Sequence, residues 1–312
     1  MNNLEQFKIL MAMDANYMPA EFDGDIFHYT SPTGFQSILF ADKYDVTLWA
    51  SRYDCLNDIS EGTVAEEVLQ ETAKDLFVRK EISKELYELF SSIKSARTIP
   101  LYRDVNGDLK VTRVECDRYI CSFSKNSDSL AMWNYYSKGS KYEGFNIGFY
   151  SKGVKDSLER SFVGIEVAAH IYPVVYDKSV QKSLIERTLL KLKDFYSEEN
   201  IPRIRAIVST RLLDWALVFK KDYFQHEEEV RIIIDLAKRE SKLPVHHRIN
   251  SGYVIPYIQM KLDQDDVSHI TFGPLQGGKA QIEHQAKVME EMLKSKGYAL
   301  ARVGYSNIPI RY

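Results

Sequence analysis

Two short segments hold the residue types best suited to chemistry in this chain: Phe27-His28-Tyr29-Thr30 and Glu227-Glu228-Glu229-Val230-Arg231. A histidine at the end of a strand can point into a cleft and hydrogen-bond a sugar hydroxyl or a phosphate. The plainer alternative is a partly buried histidine bonded to backbone. In Glu227-x-Glu229-x-Arg231, strand alternation predicts three charged groups on one face, with Val230, Ile232 and Ile234 on the core face. Two carboxylates so placed shift each other's proton affinity, and Arg231 can hold one ionised. That suits stabilisation of an oxocarbenium-like centre, or general-base work. A solvated strand face with one ion pair is the alternative.

Three further constellations accompany them. Leu48-Trp49-Ala50-Ser51 leads into Leu56-Asn57-Asp58-Ile59-Ser60-Glu61, where Asn57 and Asp58 suit a tight turn that could also order a ligand. Asp58 and Glu61 could serve as metal ligands, without a confirming spacing. Cys121-Ser122-Phe123-Ser124 is followed by a helix start at Ser127 or Asp128, which places Trp133 and Tyr136 three residues apart on one side. Those two rings wall a cleft or fill the core, and the Tyr136 hydroxyl needs a partner in either case. Gly273-Pro274-Leu275-Gln276-Gly277-Gly278-Lys279 reads as a strand-to-helix turn with weak potential for phosphate. His246-His247 reads as a surface loop. No HExxH, GxSxG or GxGxxG occurs.

Elements that would position these residues are legible in the apolar pattern. Phe27-His28-Tyr29 reads as a strand, Pro32 opens a helix, and Val46 to Ser51 is a strand. Residues 62–98 read as a charged helical insertion, with Ile82, Leu86, Leu89, Phe90 and Ile93 on one face. Ile99 to Arg103 and Leu109 to Arg113 form a hairpin about Asn106-Gly107-Asp108, followed by a strand from Tyr119 to Ser124 and a helix ending near Lys138. Further strands are expected at 145–150 (ended by Gly153), within 162–176, and at 228–235, 253–261, 268–272 and 299–303. Helices are expected at 179–196, 201–219 and 279–296. Residues 3–13 read as a helix within an N-terminal arm over 1–20, and 21–312 as one domain. Mixed rather than alternating elements predict an α+β fold with mixed or antiparallel sheets and helical insertions.

Composition narrows the function classes. The 312 residues carry a formal net charge of −3, so nothing favours a long phosphate backbone as partner. Hydrophobic residues make up 45% and aromatics 12%, enough for a full core. Cys55, Cys116 and Cys121 form no CxxC pair, which disfavours a disulfide framework or a cysteine zinc site and fits a reducing cytoplasm. No apolar run approaches a membrane span and the N-terminus lacks a basic signal-peptide start, so a cytoplasmic chain without membrane partner is expected.

Taken in order, His28-Tyr29-Thr30-Ser31, Leu48-Trp49-Ala50-Ser51, Leu56-Asn57-Asp58 with Glu61, Cys121-Ser122-Phe123-Ser124, Asp128-Ser129 with Met132-Trp133 and Tyr136, Gly144 with Ile147-Gly148-Phe149, Glu227-x-Glu229-x-Arg231, Phe272-Gly273-Pro274 and Ile308-Pro309-Ile310-Arg311 resemble the bacterial DUF2971 family, from about residue 26 to 311. That family's name marks it as one without assigned function. A looser resemblance is to ADP-ribosyltransferases, in which an early His, a central aromatic or Ser and a late Glu, often within Glu-x-Glu, occur in the order of His28, Ser124 or Tyr136, and Glu229.

The looser resemblance implies an ADP-ribosyltransferase-like fold, NAD as substrate without a metal, and transfer of ADP-ribose to a protein, a nucleic acid or water. It implies catalysis by Glu229, Glu227 and His28, with His28, Tyr29, Thr30, Ser51, Asn57, Ser124, Trp133, Tyr136 and Arg231 binding NAD. Glu229 would support bond cleavage, Glu227 orient the acceptor, Tyr136 hold nicotinamide and His28 a ribose. A role as toxin or phage-defence effector would suit such a chain. Glu229→Gln is then expected to abolish turnover and leave folding intact. Two rivals are a metal-dependent hydrolase or nuclease using Asp58, Glu61, Glu227 and Glu229, and a nucleotide-binding or interaction module without catalysis.

Overall fold

The computed structural model describes residues 16–43, 45–55, 61–95, 98–105, 108–137, 143–163, 165, 167–237, 243–274, 279–298 and 301–309. The helix expected at 3–13, together with Asn57 and Asp58, lies outside the described residues.

Strands and helices follow in mixed order: β1 Asp25–Thr30, α1 Pro32–Phe40, β2 Asp45–Arg52, α2 Glu61–Val78, α3 Lys84–Ser91, β3 Thr98–Val105, β4 Asp108–Ser124, α4 Leu130–Tyr136, β5 Phe145–Tyr150 and α5 Ser151–Ser161. Then come β6 Val167–Pro173, α6 Lys178–Lys193, α7 Ile201–Ala216, β7 Glu229–Ala237, β8 His246–Asn250, β9 Tyr253–Asp263, β10 Val267–Phe272, α8 Lys279–Ser295 and β11 Arg302–Tyr305. The fold is α+β, built on a large, mostly antiparallel mixed sheet. No helix among the described residues is long and apolar enough to cross a membrane.

Strand β4 organises the sheet. Along one edge it pairs with β7 from Cys116↔Ala237 to Ser124↔Glu229, and β7 pairs in turn with β6. The other edge is shared. It meets β1 at Phe27↔Ser124 and β2 at Ser51↔Ile120 and Arg52↔Tyr119, leaving Cys121, Ser122 and Phe123 between them. From there one arm runs β1-β5-β10-β11 and the other β2-β9-β8. The sheet therefore divides where β1 and β2 diverge from β4.

Both faces of the central strands are covered. Tyr119, Cys121, Phe123, Val230, Ile232 and Ile234 join a core reaching Phe35 and Leu39 of α1, Val154 and Leu158 of α5 and Leu293 of α8. Ile120 and Ile233, on the opposite face, join a second core made largely by α2, α3, α6 and α7. The helices expected at 62–98 are thus part of a four-helix layer. The charged face expected on β7 lies beneath that layer, and Arg231 is only 1% exposed.

Three elements differ from the sequence expectation, each for a local reason. β4 runs unbroken through Glu115-Cys116-Asp117-Arg118, because the buried Arg118 is matched by Asp214 at 2.6 Å and Asp235 at 2.8 Å. Helix α5 follows β5 directly, since Val154 and Leu158 supply a narrow apolar stripe in an otherwise polar segment. The basic segment at His246 is the edge strand β8, which lacks apolar alternation and gains its order by pairing with β9.

Candidate functional site

A cavity of about 490 Å³ occupies the division of the sheet. That is within the usual range for a small-molecule site. The end of β1 contributes His28, Tyr29 and Thr30; β2 contributes Trp49 and Ser51; the unpaired stretch of β4 contributes Ser122; Tyr136 comes from α4, Glu227 and Glu229 from either side of a tight turn, and Arg248 from β8.

Each is set by its element. Ser31 caps α1, accepting from Gly34 N at 3.2 Å, with Pro32 in the first turn, so the chain turns sharply after Thr30. Tyr29 donates to Asn126 O at 2.7 Å and accepts from Ser129 N at 2.9 Å, tying β1 to the start of α4. Gly144 is required where β5 begins: a Cβ there would stand 2.5 Å from Ser137 Oγ and 2.9 Å from Thr30 O.

His28 fills the gap in the ladder. Its Nδ1 lies 3.2 Å from the Ser122 carbonyl oxygen. A carbonyl only accepts, so Nδ1 carries the proton. Burial of the ring pulls its pKa below the ordinary 6.5, against the opposing pull of the Ser122 bond. The imidazole is therefore neutral at pH 7, and Nε2 is its remaining acceptor.

The expected alignment of Glu227, Glu229 and Arg231 on one strand face requires correction. Only Glu229 and Arg231 lie on β7. Glu227 ends the 3-10 helix Asp222–Glu227, and Glu228 then adopts a left-handed conformation with φ 45°. That turn lifts Glu227 off the strand. The carboxylates meet through a residue the motif did not contain: Lys220 donates to Glu227 Oε2 at 2.7 Å and to Glu229 Oε2 at 3.2 Å.

Arg231 grips Glu229 with both prongs, Nε to Oε1 at 2.8 Å and Nη2 to Oε2 at 2.9 Å, while Nη1 donates to Leu217 O at 2.9 Å beyond α7. Burial would push the Glu229 carboxyl up, but Arg231, Lys220 and the Ser122 hydroxyl bring it down to about 2. Those donors also fill its lone pairs. Glu227 accepts from Lys220 through Oε2, leaving Oε1 open, and its side chain is 15% exposed against 6% for Glu229. Tyr136 keeps 43% of its surface exposed and lines the cavity. Burial, Glu229 and Glu227 push that phenol up to about 12.

His28, Tyr29, Thr30, Ser51, Tyr136, Glu227 and Glu229 are thus brought to one cavity. Three other expected binding residues lie behind it. Trp133 is fully buried, donates to Asp128 Oδ1 at 2.8 Å and meets Tyr29 edge-to-face at 4.6 Å. Ser124 is buried and donates to Glu227 O at 2.8 Å, fixing that turn from below. Arg231 sits under Glu229. Asn57 lies outside the described residues, as does the side chain of Glu61.

Lys220 and Arg248 complete and line the site with no chemical motif to mark them, while Trp49 lines it from the segment Leu48-Trp49-Ala50-Ser51 without being an expected ligand contact. A lysine closing the apolar run Leu217-Val218-Phe219 is the one available signal for Lys220. Arg248 carries none, because its strand reads as a basic loop.

Residues 132–232 match the family model described as "Protein of unknown function (DUF2971)". The match covers less than half of the chain. The matched segment runs from α4 to β7 and includes Tyr136, Glu227 and Glu229 of the cavity wall, with Lys220 and Arg231 behind them. His28, Trp49 and Arg248 fall outside the matched residues. No curated protein and no solved structure matches the chain.

Proposed function

We propose that the cleft binds NAD and breaks its nicotinamide–ribose bond, passing ADP-ribose to a macromolecular acceptor or to water. The observation that carries this reading is the convergence of His28, Tyr136, Glu227 and Glu229, from three distant parts of the chain, on one cavity. A neutral imidazole with a free acceptor, a phenol on the cavity wall and a reachable carboxylate match the needs of a polyhydroxylated substrate that develops positive charge.

Glu227 and Glu229 take different roles here from those the resemblance implied. Glu229 is ionised but saturated, so it acts as a positioning residue that holds Lys220 beside Glu227. Glu227, with Oε1 open, faces the ribose. As the C1′–N bond breaks, its electron pair neutralises the pyridinium nitrogen, and nicotinamide leaves. Positive charge spreads over C1′ and the ring oxygen and is stabilised by Glu227. The acceptor's oxygen or nitrogen bonds to C1′, and its proton passes to Glu227. His28 accepts from a ribose hydroxyl, and Tyr136 holds the nicotinamide.

The metal-dependent alternative is less favoured, because the Lys220 ammonium already stands between the carboxylates that would share a cation. An NAD-consuming enzyme of this kind would work in the cytoplasm and suits a toxin or antiviral effector; expression should then arrest growth, and Glu227→Gln should relieve the arrest. The direct experiment incubates purified protein with NAD and follows free nicotinamide and modified products by mass spectrometry. Release that is lost in Glu227→Gln and indifferent to chelator is expected. Binding of NAD with no nicotinamide released would instead identify a nucleotide-binding module.

A further inference from the structure

The β2–β8 wall of the cleft is chemically unlike the carboxylate wall. Arg248 lines the cavity there. Its Nη2 donates to Ser51 Oγ at 2.9 Å, and its guanidinium carbon lies 5.8 Å from the centre of the Trp49 ring. Nε is buried without a hydrogen-bond partner. Among the described residues no carboxylate pairs with Arg248, whereas Lys220 and Arg231 are matched by Glu227 and Glu229. The cleft therefore has a neutral end and a cationic end.

A buried donor left unpaired is unfavourable, and guanidinium forks match phosphate oxygens with two parallel bonds. Beside it stands a rigid aromatic surface. Trp49 is 41% exposed, lines the cavity and stacks on Tyr257 at 4.4 Å and 25°. Tyr257 in turn stacks on His246 at 5.4 Å and 28°. Three adjacent strands thus hold Trp49 in place at the rim.

We infer that Arg248, held by Ser51, is the phosphate-binding residue of the cleft, and that Trp49 carries the base of a nucleoside phosphate by stacking. This deepens the nucleotide reading of the same cavity and requires no bond cleavage. The positive end selects an anionic ligand, and the aromatic rim selects one with a planar group.

Titrating the full-length protein with ADP and with adenosine, by calorimetry and by tryptophan fluorescence, separates the contributions. ADP is expected to bind at least tenfold more tightly than adenosine. Arg248→Met should weaken ADP by about 10- to 100-fold with adenosine unchanged. Arg248→Lys, which keeps the charge but loses the fork, should fall between and guards against misfolding of the first variant. Trp49→Ala should weaken both ligands. Equal affinity for ADP and adenosine, or unchanged ADP binding in both Arg248 variants, would overturn the assignment, as would no ADP binding by the wild type. Selective ADP binding without nicotinamide release refutes the cleavage reading alone. Nicotinamide release with no ADP binding refutes the phosphate site alone.

Discussion

Replacing Glu229 by glutamine should damage the fold more than a change of one atom suggests. The side chain is 6% exposed, Arg231 is 2% and Lys220 is 7%. A neutral amide at this position would leave both cations buried without their shared anion. Breaking a buried pair from one side costs about 3–5 kcal/mol. The carboxyl itself gives a comparable figure: a fall from 4.5 to about 2 corresponds to roughly 3 kcal/mol favouring the ionised form. Glu227 is more open and holds only Lys220, so Glu227→Gln should cost about 1 kcal/mol or less. Urea unfolding followed by tryptophan fluorescence reads the contrast, since Trp133 and Trp215 are fully buried. Glu229→Gln within about 1 kcal/mol of wild type would refute the clamp and restore the simpler expectation that this substitution removes turnover while leaving the fold intact.

The same carboxylate makes stability depend on pH. Its folded pKa lies below the unfolded value, so its contribution is fully present above about pH 4.5 and is lost as pH falls toward about 2. The gap between wild type and Glu229→Gln, measured by urea unfolding across that window, should shrink with acid; a constant gap would contradict the linkage. His28 should titrate below 6.5 by NMR of its ring protons, and a midpoint at or above 6.5 would remove the neutral acceptor from the cleft. Trp133→Ala should lose about 3–5 kcal/mol in unfolding, because a fully buried indole and its bond to Asp128 both go. A loss under about 1 kcal/mol would mean that Trp133 is not the strut under β1 and α4.

Much of the scaffold was readable from residue pattern alone. Phe145 to Tyr150 is a strand with the expected limits, and Pro32 opens a helix because its fixed φ and missing N–H suit the first turn. The α+β class followed from the order of such elements. Periodicity was less informative where a local signal was weak or misleading. Helix α5 has a sparse apolar stripe, β8 has no alternation, and Arg118 looks like a break in a strand that its partners Asp214 and Asp235 keep whole.

Residue types near the site were equally legible: His28, Tyr136, Glu227, Glu229 and Arg231 are conspicuous in one dimension. Their roles were not, because each role depends on which long-range neighbour occupies a lone pair or a donor. Spacing placed Glu227 on the strand, while the left-handed Glu228 and the distant Lys220 decided otherwise. Burial between sheet and helical layer turned Arg231 from a cleft residue into the clamp on Glu229. The sequence by itself determined the local elements and the inventory of chemical groups, since propensity and capping act within a few residues. Only the tertiary structure decided that the sheet divides beside Ser122, that Arg248 faces the division without a carboxylate, and which of two neighbouring glutamates is free to meet a ligand.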